Sequence, residues 1–195
     1  ESQMNPHFLF NTLNTIKALA RINNQEEIYT ITVKLGKLLR STIDSHESEA
    51  TLADSIALID SYLTIQKLRY GEKLVTSIHL DPTCAHIKTP KLVIQPLVEN
   101  AIIHGLEPKV GNWFLAVRVE AVGRQIQITI EDNGVGFDRT TLPRDLNELA
   151  NSTHVGVYNV YRRLSLAYQN ELEFSIDSTV GKGTIVRIGL PIGRR

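Results

Sequence analysis

At Lys73 the apolar residues of this 195-residue chain change their spacing from steps of three and four to steps of two. Before that point Leu9, Leu13, Ile16 and Ala20 form one stripe at about 100° per residue. Ile28, Ile31, Leu35 and Leu38 repeat at three and four, as at a helix–helix seam. After it, "FLAVRVEAV" and "QIQITIED" alternate around a turn at Gly123, and "ELEFSID" and "TIVRIGLP" alternate in turn. This order predicts an α+β chain: helices first, then a mainly antiparallel sheet with one face covered by helices.

Pro6 suits the first position of the opening helix, with Asn5 as its N-cap. A second helix is expected over about 26–43. The short polar link "RINNQEE" makes the two an antiparallel hairpin, which needs a second hairpin, as in a dimeric four-helix bundle, to bury both seams. Thr51 and Asp54 form a capping-box pattern before a third helix that buries Leu52, Ile56, Ile59 and Leu63. "KLVTSIHL" predicts a strand with Leu74, Ile78 and Leu80 on one face. A helix from Thr89–Pro90 to near Gly105, kinked at Pro96, and another over 156–168 follow. The resulting division is 1–48 (hairpin), 49–72 (connecting helix) and 73–195 (second domain).

Net charge is zero, so bulk attraction favours neither nucleic acid nor an anionic membrane. A single cysteine, Cys84, excludes an internal disulfide and a cysteine-based zinc site. No apolar run approaches the ~20 residues of a membrane span. The chain opens at Glu1 rather than Met and reads as a piece of a longer protein, which leaves room for a membrane segment upstream.

On "QIQITIED", Ile126, Ile128 and Ile130 share a face, and the next residue in that row is Asp132. A carboxylate aimed at an apolar interior needs a partner. The amino group of a flat apolar ligand such as adenine would serve, with Gly134 and Gly136 letting the backbone come close. "DNG" taken alone reads first as a simple hairpin turn, since Asn-Gly is a common turn signal. In "PLVENAIIHG", Asn100 and His104 share a helix face. The amide oxygen of Asn100 suits Mg²⁺, unless it is an incidental surface residue. Gly156 opens a helix whose N-terminus follows a loop, an anion-binding arrangement to which Asn159, Arg162 and Arg163 could add; an ordinary amphipathic helix is the alternative. "GKGTIV" is a tight turn into the last strand. There is no Walker loop or Rossmann fingerprint, "DNGVGFDRTTLPRDLNE" lacks the carboxylates of a calcium loop, and His46, His79 and His86 lack metal-ligand spacing. His7, Asn11 and Asn14 lie on the polar side of the first helix.

"NPHFLFNTLN", "QPLVENAIIHG", "DNGVGF", "GVYNVYRRL" and "GKGT", in that order over essentially the whole chain, closely resemble the LytS/YesM-type sensor histidine kinases. The later motifs are shared with the wider gyrase, histidine kinase and MutL ATPase superfamily. The resemblance implies a phosphoacceptor at His7 on a dimerising hairpin and a Bergerat-type ATP-binding domain from about residue 73. By motif, Asn100 becomes the Mg²⁺ ligand and Asp132 the acceptor for the adenine amino group. Gly134 and Gly136 line the adenine pocket, and the segment after Phe137 is the ATP lid. Gly156 and Asn159 lie near the phosphates, with His104 and Arg163 among the nucleotide contacts, and Gly183 and Thr184 close the pocket. The implied activity is ATP-dependent autophosphorylation of His7, then transfer to a response-regulator aspartate. The implied setting is the cytoplasmic part of a membrane sensor.

Three positions depart from the family pattern: Ile103 where a Lys often stands, His154 where many relatives have Gly, and Val157 for a common Leu. Phe8 stands where many other histidine kinases carry an acid, so no general base for His7 is evident. Two rival readings are a nucleotide-binding dimerisation module without kinase activity and an ATP-hydrolysing switch. The switch would need a water-activating Glu one turn before Asn100, where Pro96 stands.

Overall fold

The computed structural model describes residues 6–43, 48–141 and 155–192. Asn5, His46, the greater part of the expected lid and His154 lie outside the described residues. Two helices, α1 (Pro6–Ile22) and α2 (Glu26–Ile43), form the expected hairpin, with Pro6 at the first helical position. The chain reverses at Asn24, whose φ of 53° is in the left-handed region that asparagine tolerates. The Gln25 N–H closes the turn on the Ala20 carbonyl at 2.8 Å.

Within the hairpin Ala20 and Thr32 are buried, and Gly36 brings α2 close to Leu13. Ile16, Ile28 and Leu35, expected at the seams, are exposed. A helix has more apolar surface here than one neighbour can cover, so the periodic stripe identifies surface available for burial, not surface buried in a single chain. Another flank of α2 meets α3 (Leu52–Tyr70), where Lys34 pairs with Asp60 at 2.7 Å.

The start of α3 is as expected: the Thr51 hydroxyl accepts the Asp54 N–H at 3.1 Å. The Asp54 carboxylate accepts from the same hydroxyl at 2.6 Å, so the reciprocal bond of a full capping box is replaced by a side-chain pair. Leu52, Ile56, Ile59 and Leu63 are all buried. Gly71, at φ 59°, ends the helix by donating to the Lys67 carbonyl.

The main sheet contains β2 (Leu74–Leu80), β4 (Trp113–Val122), β5 (Gln125–Asp132), β6 (Glu173–Thr179) and β7 (Gly183–Pro191), in the order β2-β4-β5-β7-β6. It is antiparallel except at β2–β4, which run parallel. That exception follows from the long crossover between them, which carries a helix over one face. Two short strands, β1 (Glu49–Thr51) and β3 (Lys88–Pro90), pair in a separate antiparallel sheet that the hydrophobic pattern did not reveal.

This pairing corrects the expected helix start. Thr89 and Pro90 face Ala50 and Glu49 across the small sheet, and Leu92 then adopts φ 56°, incompatible with a helix. The helix α4 runs only over Gln95–Asn100 and continues as a π turn, Ala101–Leu106, in which the Glu107 N–H reaches the Ile102 carbonyl at 2.8 Å. Pro96 lies in the first turn of α4, where no N–H is missed, instead of kinking its middle.

Together with α5 (Val155–Tyr168), helices α3 and α4 cover one sheet face. Ile126, Ile128, Ile130, Leu115, Val117 and Leu164 are among the fully buried residues of this core. The opposite sheet face is polar and carries the pairs Arg118–Glu131 and Arg187–Asp177. Replacing the central Ile128 by Ala should cost about 2–4 kcal/mol in urea unfolding. Val75→Ala on the exposed side of edge strand β2 should change stability by no more than about 0.5 kcal/mol.

Candidate functional site

The inward row of β5 runs from Ile126 through Ile128 and Ile130 to Asp132, which is only 7% exposed. Antiparallel register sets Asp132 opposite Thr184 on β7, and Thr184 in turn opposite Ser178 on β6. The apolar sheet face therefore ends in a short polar row. Burial pushes the Asp132 carboxyl up to about 6, with Glu131 adding to the effect. The Gly134 and Thr184 N–H groups and Lys109 oppose it. One carboxylate oxygen accepts the Gly134 N–H at 2.8 Å.

The loop after Asp132 is held from two sides. The Val135 N–H donates to the Gly105 carbonyl at 2.8 Å, and the Val135 carbonyl accepts the Gly181 N–H at 2.6 Å. A Cβ at Gly134 would fall 2.3 Å from the Gly105 carbonyl group, so side chains are excluded at this crossing. A Cβ at Gly183 would fall 2.0 Å from the Asp132 carbonyl oxygen, and Gly183 also needs φ 111°. Both glycines let three backbone segments converge around one carboxylate.

A cavity of about 320 Å³ opens between α4 with its π turn, the ends of β5 and β7, and the start of α5. Asn100, His104, Asp132, Gly136, Gly156 and Thr184 line it, so six of the residues singled out from sequence meet at one site. Leu97, Ile130, Phe137, Val157, Ile176 and Val186 supply apolar walls. Gly156 lies against Asn100: a Cβ there would be 3.0 Å from the carboxamide nitrogen. The start of α5 can thus approach the amide that the sequence offers as a cation ligand.

Gly134 and Gly183 frame the cavity without lining it. Asn159 is exposed on α5, and the Arg163 guanidinium donates to the Lys91 carbonyl; neither lines the cavity. His7 is exposed on α1 and also stands apart from the lining; the Asn11 carboxamide nitrogen is 3.2 Å from its Nδ1. No cluster of three or more His, Cys, Asp or Glu suited to a metal exists among the described residues.

Sequence reasoning missed Ser178, whose hydroxyl accepts the Phe137 N–H at 2.9 Å and meets the Thr184 hydroxyl at 2.9 Å. It also passed over Gly105, a lining residue whose close contact with Asp132 leaves only 2.9 Å for a Cβ. Ser178 could be found only from strand register. Gly105 carried a signal, as the last residue of "NAIIHG", but served only as a helix terminator.

Residues 1–74 match the family model for histidine kinases, and residues 85–194 match that for histidine kinase-, DNA gyrase B- and HSP90-like ATPases. The chain belongs to the LytS/YesM-type sensor histidine kinases. It is 35% identical to the sensor histidine kinase YesM of Bacillus subtilis over 98% of its own length and 32% of that protein's. It is 32% identical to the sensor protein LytS of Oceanobacillus iheyensis, over 98% of its length and 33% of that relative's. The chain thus spans about a third of the curated relatives it matches.

Among solved structures, the histidine kinase domain of the Erythrobacter litoralis blue-light activated kinase superposes with a TM-score of 0.56. The sequence identity is 16%, and 95% of each chain is covered. The catalytic domain of the histidine kinase ThkA gives 0.55 at 10% identity, over 73% of this chain and 94% of that one. These likenesses show the fold: a helical hairpin followed by an α/β sandwich. No helix among the described residues is long and apolar enough to cross a membrane.

The raised carboxyl of Asp132 has a thermodynamic consequence. An unfolded aspartate titrates near ~3.9, so the fold binds this proton more tightly than the unfolded chain. Its contribution favours the fold at low pH and is lost as pH rises through about 6. Asp132→Asn should therefore stabilise the ligand-free protein by about 1–3 kcal/mol at pH 8, with little gain near pH 4. Thermal unfolding at the two pH values checks this.

Proposed function

We propose that this chain is the kinase core of a two-component sensor: it binds ATP with Mg²⁺, phosphorylates His7 and passes the phosphoryl group to an aspartate of a response regulator. The observation that carries the nucleotide reading is the buried Asp132 carboxylate at the end of an apolar slot. A carboxylate in such a place is compatible with an amino group on a flat ring, and the apolar walls with the ring faces. The domain division proposed is 1–48 for the phosphoacceptor hairpin, 49–72 for the connection and 73–195 for nucleotide binding.

The donor set fits a hard cation brought with phosphates. Asn100 lines the cavity and carries an uncharged amide oxygen, and Mg²⁺ typically takes only one or two protein ligands beside phosphate and water. Bound there, Mg²⁺ would neutralise charge on the transferring phosphoryl group. Asp132 accepts the adenine amino group, Gly136 and Thr184 border the base, and the start of α5 at Gly156 faces the phosphates. Gly134 and Gly183 keep the frame closed. His104, Asn159 and Arg163 are proposed as further nucleotide contacts, the last two on a helix whose N-terminus borders the cavity.

His7 is the proposed nucleophile. The Asn11 carboxamide, on the same helix face, can orient the ring through Nδ1. The ring nitrogen bonds to the γ-phosphorus while the bond from phosphorus to the ADP oxygen breaks. Hydrolysis by a positioned water is less well supported. Pro96 occupies the position where a water-activating carboxylate would stand, and Glu99 accepts from Gln95 Nε2 at 2.8 Å.

Phe8, Leu19, Ile22, Ile28, Val33 and Leu35 are exposed on the hairpin. So much apolar surface on one small unit supports a second copy as its cover, completing a four-helix bundle. His7→Gln should abolish incorporation of labelled phosphate from ATP while leaving ATP affinity intact; label retained on the variant sinks the assignment. Ile28→Glu should weaken dimerisation roughly 100-fold, about 3 kcal/mol, in analytical ultracentrifugation.

A further inference from the structure

Lys109 is one residue that the nucleotide reading leaves without a role. It follows the π turn, where its N–H donates to the Leu106 carbonyl at 2.8 Å. Its own carbonyl accepts the Trp113 indole N–H at 3.0 Å. Trp113 is buried and packs edge-on against Tyr70, at 4.7 Å between ring centres, with the Lys73 ammonium over its face. The Lys109 backbone is therefore fixed, and its half-buried ammonium donates to the Asn133 carbonyl.

That carbonyl belongs to the same peptide unit as the Gly134 N–H, which donates to Asp132 at 2.8 Å. A peptide is planar, so holding its oxygen fixes the direction of its N–H. A cation on the oxygen also polarises the N–H and strengthens the bond it donates. The other polar groups of Asn133 are engaged as well: its side-chain oxygen accepts the Phe114 N–H at 2.8 Å, and its carboxamide nitrogen donates to the Asn112 carbonyl at 3.3 Å.

We propose that Lys109 is a positioning residue for base recognition, acting on Asp132 through the Asn133–Gly134 peptide. This rests on the nucleotide reading above. The ammonium aims the Gly134 N–H at one carboxylate oxygen, so that the carboxylate, which the Thr184 N–H also faces, keeps an acceptor position for the 6-amino group of a purine. The charged and titratable groups around Asp132 are Lys109, Glu131 and, across the cavity, His104. Lys109 favours the ionised carboxylate, the form that accepts two donors, and Glu131 opposes it.

The test compares ATP with purine riboside triphosphate, which lacks the 6-amino group, by calorimetric titration across pH. The 195-residue chain would carry Lys109→Met, Lys109→Gln or Lys109→Arg. Lys109→Met should reduce the preference for ATP roughly tenfold, leave purine riboside triphosphate affinity unchanged, and raise the pH at which ATP affinity falls off on acidification. Lys109→Arg should restore both. Should the Met variant fail to fold, Lys109→Gln, which keeps a neutral donor, should still move the pH midpoint upward. An unchanged preference and midpoint, or equal loss of both nucleotides with an unmoved midpoint, overturns the proposal. Failure of the nucleotide reading itself is separate: Asp132→Asn would then keep its ATP affinity.

Discussion

A carboxylate at the end of a row of isoleucines must be held by backbone donors, neutralised, or given a ligand, because leaving it ionised and unpartnered costs several kcal/mol or more. Asp132 is in this position, and the geometry around it follows from the need to manage it. Gly134 supplies an N–H, Gly105 and Gly183 let neighbouring backbone come within reach, and apolar side chains wall the cavity beside it. The carboxyl is left poised near neutrality, with its charge dependent on what enters the cavity.

The hairpin poses the opposite problem. There the excess is apolar, and the described residues leave much of it exposed. One part of the molecule thus has a buried polar group at the end of a cavity, and the other an exposed apolar face. The connection is α3, which packs against α2, ends beside Trp113 through Tyr70, and leads directly into the first strand of the main sheet.

Much of this was legible in the sequence because it depends on local period. Period two along β5 placed Asp132 inside, and the i, i+4 spacing of Asn100 and His104 put both on the cavity. What was not legible depends on pairing between distant segments. The capture of Thr89 and Pro90 by Glu49 and Ala50 overrode the helix-start signal of Pro90. The parallel β2–β4 register has no local signature, and Ser178 entered the site only through its place opposite Thr184. The exposure of Ile28 and Leu35 shows a further limit: period identifies a face but not what covers it.

The π turn at Ala101–Leu106 gives α4 a phase as well as a length. It places one more residue between hydrogen-bonded partners than an α-helix does. Trimming one residue there to restore α geometry would turn everything downstream by about 100° about the axis. The Gly105 carbonyl would swing off the Val135 N–H, and the crossing over Gly134 would open. The irregular turn thus acts as a gauge block: its extra residue sets the angle at which the helix meets the glycine loop, and so the width of the slot beneath.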